Sequence, residues 1–139
     1  MTQTFYLASG LENREQASRI IRALERAGLT CTYDWTTHGS LQAHPQLWHE
    51  VAAAELGGVI RADVVVVLLP GGRGTHCELG AAIRGGTPVV LVGKPEQLEA
   101  DGRTCIFYHF AGVVKVPDIE AAFDYLHSEM RFGARKAVL

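Results

Sequence analysis

Residues 62–70 read ADVVVVLLP and form the clearest strand signal in the sequence. A run that is apolar on both faces is typical of a central strand in a parallel sheet, because helices cover both sides of such a sheet. A glycine-rich turn, GGRG, follows at residues 71–74, and a helix is predicted over residues 75–84. The stretch therefore predicts an α/β fold in which a buried strand leads through a glycine turn into a helix.

Strands and helices alternate on both sides of this stretch. An apolar stripe with helical spacing predicts a helix over residues 13–27, and Gly28 is expected to end it in a left-handed conformation. A second long helix is predicted from Pro45 to Leu56, with Trp48 as a packing position and an interruption at Gly57-Gly58. The other elements expected from composition and spacing are strands at residues 4–9, 29–35, 88–93 and 104–110 and a last helix at residues 117–130.

This alternation predicts a three-layer, Rossmann- or flavodoxin-like α/β sandwich with a five-stranded parallel sheet of order 2-1-3-4-5. The length of 139 residues predicts a single domain over residues 1–139, with a loosely held tail from about residue 131. Ligands bind such sheets at the carboxyl ends of the strands, where the strand order reverses. We therefore expect the loops at residues 9–13 and 70–75 to form the site.

The composition argues against several classes of protein. A formal net charge of -2 without a long basic stripe argues against binding of a nucleic acid polymer. The longest apolar run, residues 64–70, is far shorter than the roughly 20 residues of a membrane helix, and the N-terminus lacks the features of a signal peptide. Three cysteines and six histidines match no zinc or disulfide spacing, so we expect a reduced, cytoplasmic protein without a metal site.

The glycine-rich turn is the most informative candidate site. It lacks both the Gly-Lys-Ser/Thr ending of a Walker A loop and the spacing of a dinucleotide fingerprint. Its glycines are expected to adopt positive φ and to let a ligand approach the backbone, while the helix start favours an anion or a polar sugar. Gly72 and Gly74, together with Ser9 and Gly10 after strand one, are predicted to line a sugar or phosphate site, and Arg73 to face a phosphate.

Glu78 is the candidate catalytic residue. It lies one turn into the helix that follows the glycine turn, among small residues that leave room for a ligand. A carboxylate at that position can act as a nucleophile or stabilise a positively charged sugar carbon. Thr75-x-x-Glu78 also fits a capping box, in which Glu78 would only tie down the helix start, and the sequence favours neither interpretation. Tyr6 in strand one is expected to reach the carboxylate and orient it.

A second acid would support a catalytic role, because glycosidic cleavage commonly uses two carboxylates in unequal environments. Glu55, on the helix before strand three, is one candidate. Asp34 is another, and the indole of the adjacent Trp35 is a candidate for stacking on a base. Asp63 begins strand three at the opposite edge of the sheet, so we expect it to be a cap or a surface residue.

Several segments together resemble the nucleoside 2-deoxyribosyltransferase-like superfamily, which includes deoxynucleoside monophosphate N-glycosidases and hydroxymethyl-CMP hydrolases. They are FYLASG at residues 5–10, an acid on the second long helix, ADVVVV at 62–67, GTHCELGAA at 74–82 and TPVV at 87–90.

The resemblance extends from residue 4 to about residue 126 and implies roles for three side chains. Glu78 would attack C1′ of the sugar, forming a glycosyl-enzyme intermediate that passes to water or to another base, and Tyr6 would orient it. The family's second carboxylate, an aspartate, falls on Glu55. The resemblance also implies a small nucleoside or nucleotide as partner, no cofactor, and a homodimer or larger homo-oligomer.

The monophosphate hydrolases of this group carry an arginine in the loop after strand one. Here that loop reads GLEN at residues 10–13, and Arg73 is the alternative cation. Residues 70–78, PGGRGTHCE, also resemble the PGGxGTxxE motif of cytokinin-activating phosphoribohydrolases, which likewise cleave a nucleotide N-glycosidic bond.

The sequence thus predicts an enzyme that cleaves or transfers the N-glycosidic bond of a nucleoside or nucleotide. A non-catalytic nucleotide-binding or sensor module and a flavodoxin-like flavin protein are the alternatives.

Overall fold

The computed structural model describes residues 3–129. Five parallel strands form one sheet of order β2-β1-β3-β4-β5, which confirms the predicted topology. The strands are β1 (Thr4–Ser9), β2 (Thr30–Cys31), β3 (Val64–Leu68), β4 (Val89–Val92) and β5 (Val113–Val116), and the helices are α1 (Arg14–Arg26), α2 (Trp48–Arg61), α3 (Arg73–Arg84), α4 (Pro95–Leu98) and α5 (Ile119–Glu129). The tail predicted from residue 131 lies outside the described residues.

The strand β3 is the centre of the core, as its composition predicts. All of its residues are buried, and it pairs with β1 at Phe5↔Val64 and with β4 at Val65↔Val89. Right-handed crossovers place α2 and α3, which contact each other, on one face of the sheet, and α1 and α5 on the other. Within residues 3–129, no helix combines the length and the apolar character needed to cross a bilayer.

Two predicted strands differ from the structure. The strand β2 is limited to Thr30–Cys31, because the Asp34 carboxylate accepts a hydrogen bond from the Thr36 backbone N–H at 2.9 Å and caps a 3-10 turn there. The strand predicted at residues 104–110 is wrong. That segment contains the 3-10 helix Ile106–His109, which packs against α3 through Tyr108, and the fifth strand follows it. Strand-like composition was therefore overridden by tertiary packing.

The predicted interruption of the second helix is also wrong, since α2 continues through Gly57 and Gly58 to Arg61. A Cβ atom at Gly58 would lie 2.9 Å from both Tyr6 Cδ2 and Tyr33 Cβ. Gly58 therefore serves close packing of the helix on β1 rather than a break in it. By contrast, Gly28 has φ +101° directly after the first helix, as predicted.

Candidate active site

The start of α3 excludes one of the two interpretations of Glu78. The N-cap of this helix is Gly72, whose backbone N–H donates to Thr75 Oγ1 at 3.0 Å. Thr75 thus closes the cap, and the capping-box interpretation of Glu78 is wrong. The expectation of positive φ is also wrong for Gly71, Gly72 and Gly74, since the glycines with positive φ lie elsewhere.

The Glu78 carboxylate is paired with Tyr6 of β1. The Tyr6 hydroxyl donates a hydrogen bond to Glu78 Oε2, and the two side chains are 0% and 7% exposed. The helix α3 packs on β1, which brings together residues 72 positions apart in the chain. Burial and the negative charge of Glu78 hold the pKa of Tyr6 far above its ordinary value, so the phenol stays a hydrogen-bond donor.

The environment of Glu78 favours its protonated form. Burial raises the pKa of the Glu78 carboxyl from 4.5 to about 7, the hydrogen bond from Tyr6 opposes that rise, and the negative charge of Glu55 adds to it. A carboxyl that changes charge near neutral pH inside a cleft is a typical feature of a catalytic site.

Glu78 borders a cleft of about 590 Å³, a size within the usual range for small-molecule sites. The cleft lies where the strand order reverses, at the carboxyl ends of β1 and β3. Of the predicted site residues, those that line it are Ser9, Gly10, Trp35, Glu55, Gly72, Arg73, Gly74 and Glu78.

Glu55 reaches the cleft from α2. Its side chain is 29% exposed, and its Oε1 lies 3.9 Å from His38 Nε2. Burial raises the pKa of the Glu55 carboxyl above its ordinary value, and the nearby His38 ring opposes the rise. The cleft therefore holds two carboxyl groups whose environments differ, with Glu78 the more deeply buried.

Ser9 joins the two loops that form the floor of the cleft. Its Oγ donates to the Leu68 carbonyl at 2.8 Å and accepts from Asn13 Nδ2 at 3.0 Å. The Asn13 side-chain amide also donates to the Pro70 carbonyl at 3.1 Å, and the Gly10 backbone N–H donates to the same carbonyl at 3.2 Å. Because its proton is already engaged, Ser9 contributes chiefly to holding the loop after β1 against the loop after β3.

The Asp34–Trp35 pair is placed differently from what the sequence predicts. The Asp34 side chain caps the turn after β2, forms an ion pair with Arg22 and lies outside the cleft lining. Trp35 does line the cleft, but it is only 3% exposed, and its Nε1 donates to the Leu7 carbonyl at 2.7 Å. Little of its ring is open for stacking on a base.

Asp63 lies away from the cleft, at the other end of the strands. Its carboxylate accepts a hydrogen bond from the Thr4 backbone N–H at 2.8 Å.

Three further cleft residues were missed by sequence reasoning. Arg14 begins α1 directly after the GLEN loop, and its position one residue past that loop was the available signal. Trp48 is 50% exposed at the start of α2, where a packing position was predicted, and its Nε1 donates to the Leu41 carbonyl at 2.7 Å. His38 carries no local sequence signal. Among residues 3–129, no group of three or more acidic, histidine or cysteine side chains is placed to hold a metal ion.

Residues 5–109 match the family model described as nucleoside 2-deoxyribosyltransferase, which is most of the chain. The chain belongs to the nucleoside 2-deoxyribosyltransferase family. This is an enzyme family, and its name points to chemistry at the glycosidic bond of small nucleosides.

A solved structure described as a conserved protein from Enterococcus faecalis V583 is similar, with 16% sequence identity and a TM-score of 0.48, and the match covers 88% of this chain and 85% of that one. Among curated proteins, none matches the chain significantly.

Proposed function

We propose that this protein cleaves or transfers the N-glycosidic bond of a (deoxy)nucleoside or nucleoside monophosphate, with Glu78 as the nucleophile. The proposal depends chiefly on one observation: the Glu78 carboxylate is buried, accepts a hydrogen bond from Tyr6 and borders an open cleft. A desolvated carboxylate in a fixed orientation is well suited to attack an electrophilic carbon. The family assignment supports the same reaction class.

In the proposed first step, a Glu78 oxygen forms a bond to C1′ while the bond from C1′ to the base nitrogen breaks. The electron pair goes to the base, which takes a proton from Glu55. In the second step, water or a second base attacks C1′ and releases Glu78, and the incoming nucleophile returns its proton to Glu55. The exposed ring of Trp48 is the aromatic surface that we assign to the base.

Incubation with a panel of nucleosides and their 5′-monophosphates tests this proposal, with free base read by chromatography. A second free base in the same reaction distinguishes transfer from hydrolysis. We expect free base from at least one purine or pyrimidine substrate. If ligands bind but no base appears across the panel, the protein is a non-catalytic nucleotide-binding module instead.

Two arginines at the cleft support a further part of the proposal, that a 5′-phosphate contributes to binding. Arg14 and Arg73 begin the two helices that follow β1 and β3, so both lie where helix N-termini attract anions. We predict that Arg73→Gln raises KM for the monophosphate about tenfold or more and changes KM for the nucleoside little, because a charge-assisted hydrogen bond contributes roughly 1.5–3 kcal/mol. Arg84→Gln, at the other end of α3, is the control. Equal effects on both substrates would contradict phosphate binding at Arg73.

We also propose a homodimer or larger homo-oligomer that is built on the outer face of α2 and α3. Apart from Leu11, every large exposed apolar side chain of residues 3–129 lies on one of the two segments that flank α3. These side chains are Leu47, Trp48, Leu56 and Ile60 on the α2 side, and Ile106, Phe107 and Phe110 on the other. Trp48 lines the cleft and is assigned to the base, so the other side chains are the ones assigned to the interface. Such a patch is typical of a protein interface.

Light scattering after size-exclusion chromatography tests this interface. We expect wild-type protein to be at least dimeric, and Ile60→Glu and Phe107→Glu each to increase the monomer fraction, because a buried unpaired charge is costly at an apolar interface. Arg19→Glu, on the opposite face of the sheet, is the matched control. A monomeric wild type at micromolar concentration would contradict the proposal.

A further inference from the structure

His38 lies in the wall of the cleft beyond β2, directly after the 3-10 turn Trp35–Thr37. Its Nδ1 lies 3.3 Å from the Gly39 carbonyl oxygen, which can only accept a hydrogen bond. A proton on Nδ1 satisfies this contact, which leaves Nε2 as the ring atom without a partner.

His38 Nε2 is buried, and it has no hydrogen-bond partner within the described part of the chain. A buried polar atom without a partner is unfavourable and calls for an explanation. The nearest charged group is the Glu55 carboxylate, whose Oε1 lies 3.9 Å from Nε2. At this distance the two atoms form no direct hydrogen bond, but a proton on either group makes the pair favourable, as imidazolium with carboxylate or as neutral imidazole with carboxylic acid. With no proton there, a lone pair would face a negative charge.

Several titratable and charged groups surround the pair. The Tyr33 ring lies against His38, with centroids 6.3 Å apart, and burial, together with the charge of Glu55, raises the pKa of the Tyr33 phenol. On α3, the negative charge of Glu55 adds to the rise in the pKa of Glu78 that burial causes. Tyr6 of β1 is engaged with Glu78. The remaining charged groups of the cleft lining are Glu12, Arg14 and Arg73.

We propose that His38 is a positioning residue for Glu55, and that the pair of side chains holds the one proton that Glu55 delivers to the departing base. This inference rests on the proposed function. When the bond from C1′ to the base breaks, the base nitrogen takes that proton, leaving Glu55 ionised and His38 neutral. The water or base that attacks C1′ in the second step returns a proton to the pair, so the site is restored.

The first test needs no substrate, so its outcome is independent of the proposed function. Glutamate labelled with ¹³C at Cδ is titrated by NMR in wild type and in His38→Gln, with Glu55 assigned from Glu55→Gln. We expect the midpoint of Glu55 to move upward by about one unit or more in His38→Gln, because a nearby positive charge has been removed. His44→Gln, an exposed histidine outside the cleft lining, should leave it unchanged. An unchanged Glu55 midpoint in His38→Gln overturns the proposal.

The second test separates proton delivery from a structural role. We expect His38→Gln to lower kcat about 10- to 100-fold, with a smaller change in KM, on a substrate whose base must be protonated to leave, because Glu55 becomes a weaker acid and loses its fixed orientation. On a purine nucleoside already methylated at N7, whose base leaves without that proton, the loss should be much smaller. Equal losses on the two substrates overturn the assignment of proton delivery to the pair. Absence of all turnover in wild type refutes the proposed function and, with it, proton delivery, while the NMR titration still decides whether His38 is paired with Glu55.

Discussion

Replacing Glu78 by glutamine is expected to lower kcat/KM for release of the free base by at least about 10³-fold while the protein stays folded. Glutamine has nearly the same shape, and its Oε1 can still accept the hydrogen bond from Tyr6, but an amide oxygen does not form the glycosyl ester. The measurement is steady-state release of base, with circular dichroism to confirm the fold. Mass spectrometry of wild type quenched during turnover should show a glycosyl group attached at Glu78.

A matched control removes a charge without touching the cleft. Glu15 is exposed on α1 and does not line the site, so Glu15→Gln should retain wild-type activity. Tyr6→Phe removes only the hydroxyl that orients Glu78, and a partial loss is expected from it. If Glu78→Gln keeps most of the activity, Glu78 is not the nucleophile, and the reaction would have to be assigned to another group.

The second large expected effect is that of pH. A rise in pH should increase activity and decrease the stability of the folded protein. The nucleophile must be ionised, so kcat/KM should fall about tenfold per pH unit below the Glu78 midpoint, which lies at about 7. The Tyr6 hydrogen bond lowers the pKa of Glu78. Tyr6→Phe should therefore move the acid limb of the profile to higher pH. If the acid limb of the pH profile of kcat/KM lies at the same pH in Tyr6→Phe as in wild type, the proposed role of the Tyr6 hydroxyl is contradicted.

Stability should change in the opposite sense. The pKa of Glu78 is higher in the folded protein than the ordinary value of 4.5, so the folded state holds the proton more tightly than the unfolded chain. The contribution of Glu78 to the free energy of unfolding is fully present below pH 4.5 and is lost as the pH rises through about 7. A shift of this size corresponds to about 3 kcal/mol at most.

Urea unfolding of wild type and Glu78→Gln at several pH values measures this effect. The variant should be the more stable protein above pH 7, and the two should converge below pH 4.5. Such a gain in stability with loss of activity is the usual consequence of neutralising a buried catalytic charge. If the difference between the two proteins does not change with pH, Glu78 does not titrate as its burial implies.

Much of the fold was predictable because local signals agreed with the tertiary packing. The valine run of β3 is apolar on both faces, and the structure buries it completely at the centre of the sheet. The strand order followed from the alternation of strands and helices together with the handedness rule for crossovers. The contact between Tyr6 and Glu78 was also expected, since it requires only that the helix α3 packs on the strand β1.

The errors arose where side chains compete for tertiary partners. Residues 104–110 have strand-like composition, yet Tyr108 stacks on His76 of α3, and the pairing with β4 is left to Val113–Val116. Gly58 looked like a helix break until its closeness to Tyr6 was known. Thr75, rather than Glu78, turned out to complete the cap of α3.

By itself, the sequence determined the layer architecture, the strand order and the edge of the sheet where the candidate site lies, because these depend on apolar periodicity and chain connectivity. Only the tertiary structure decided that Glu78 is buried against Tyr6, that Trp48 rather than Trp35 is open to the cleft, and that His38 lies beside Glu55. The reason is physical. The charge state and exposure of a side chain depend on neighbours brought together from distant parts of the chain, and no local pattern in the sequence encodes those distances.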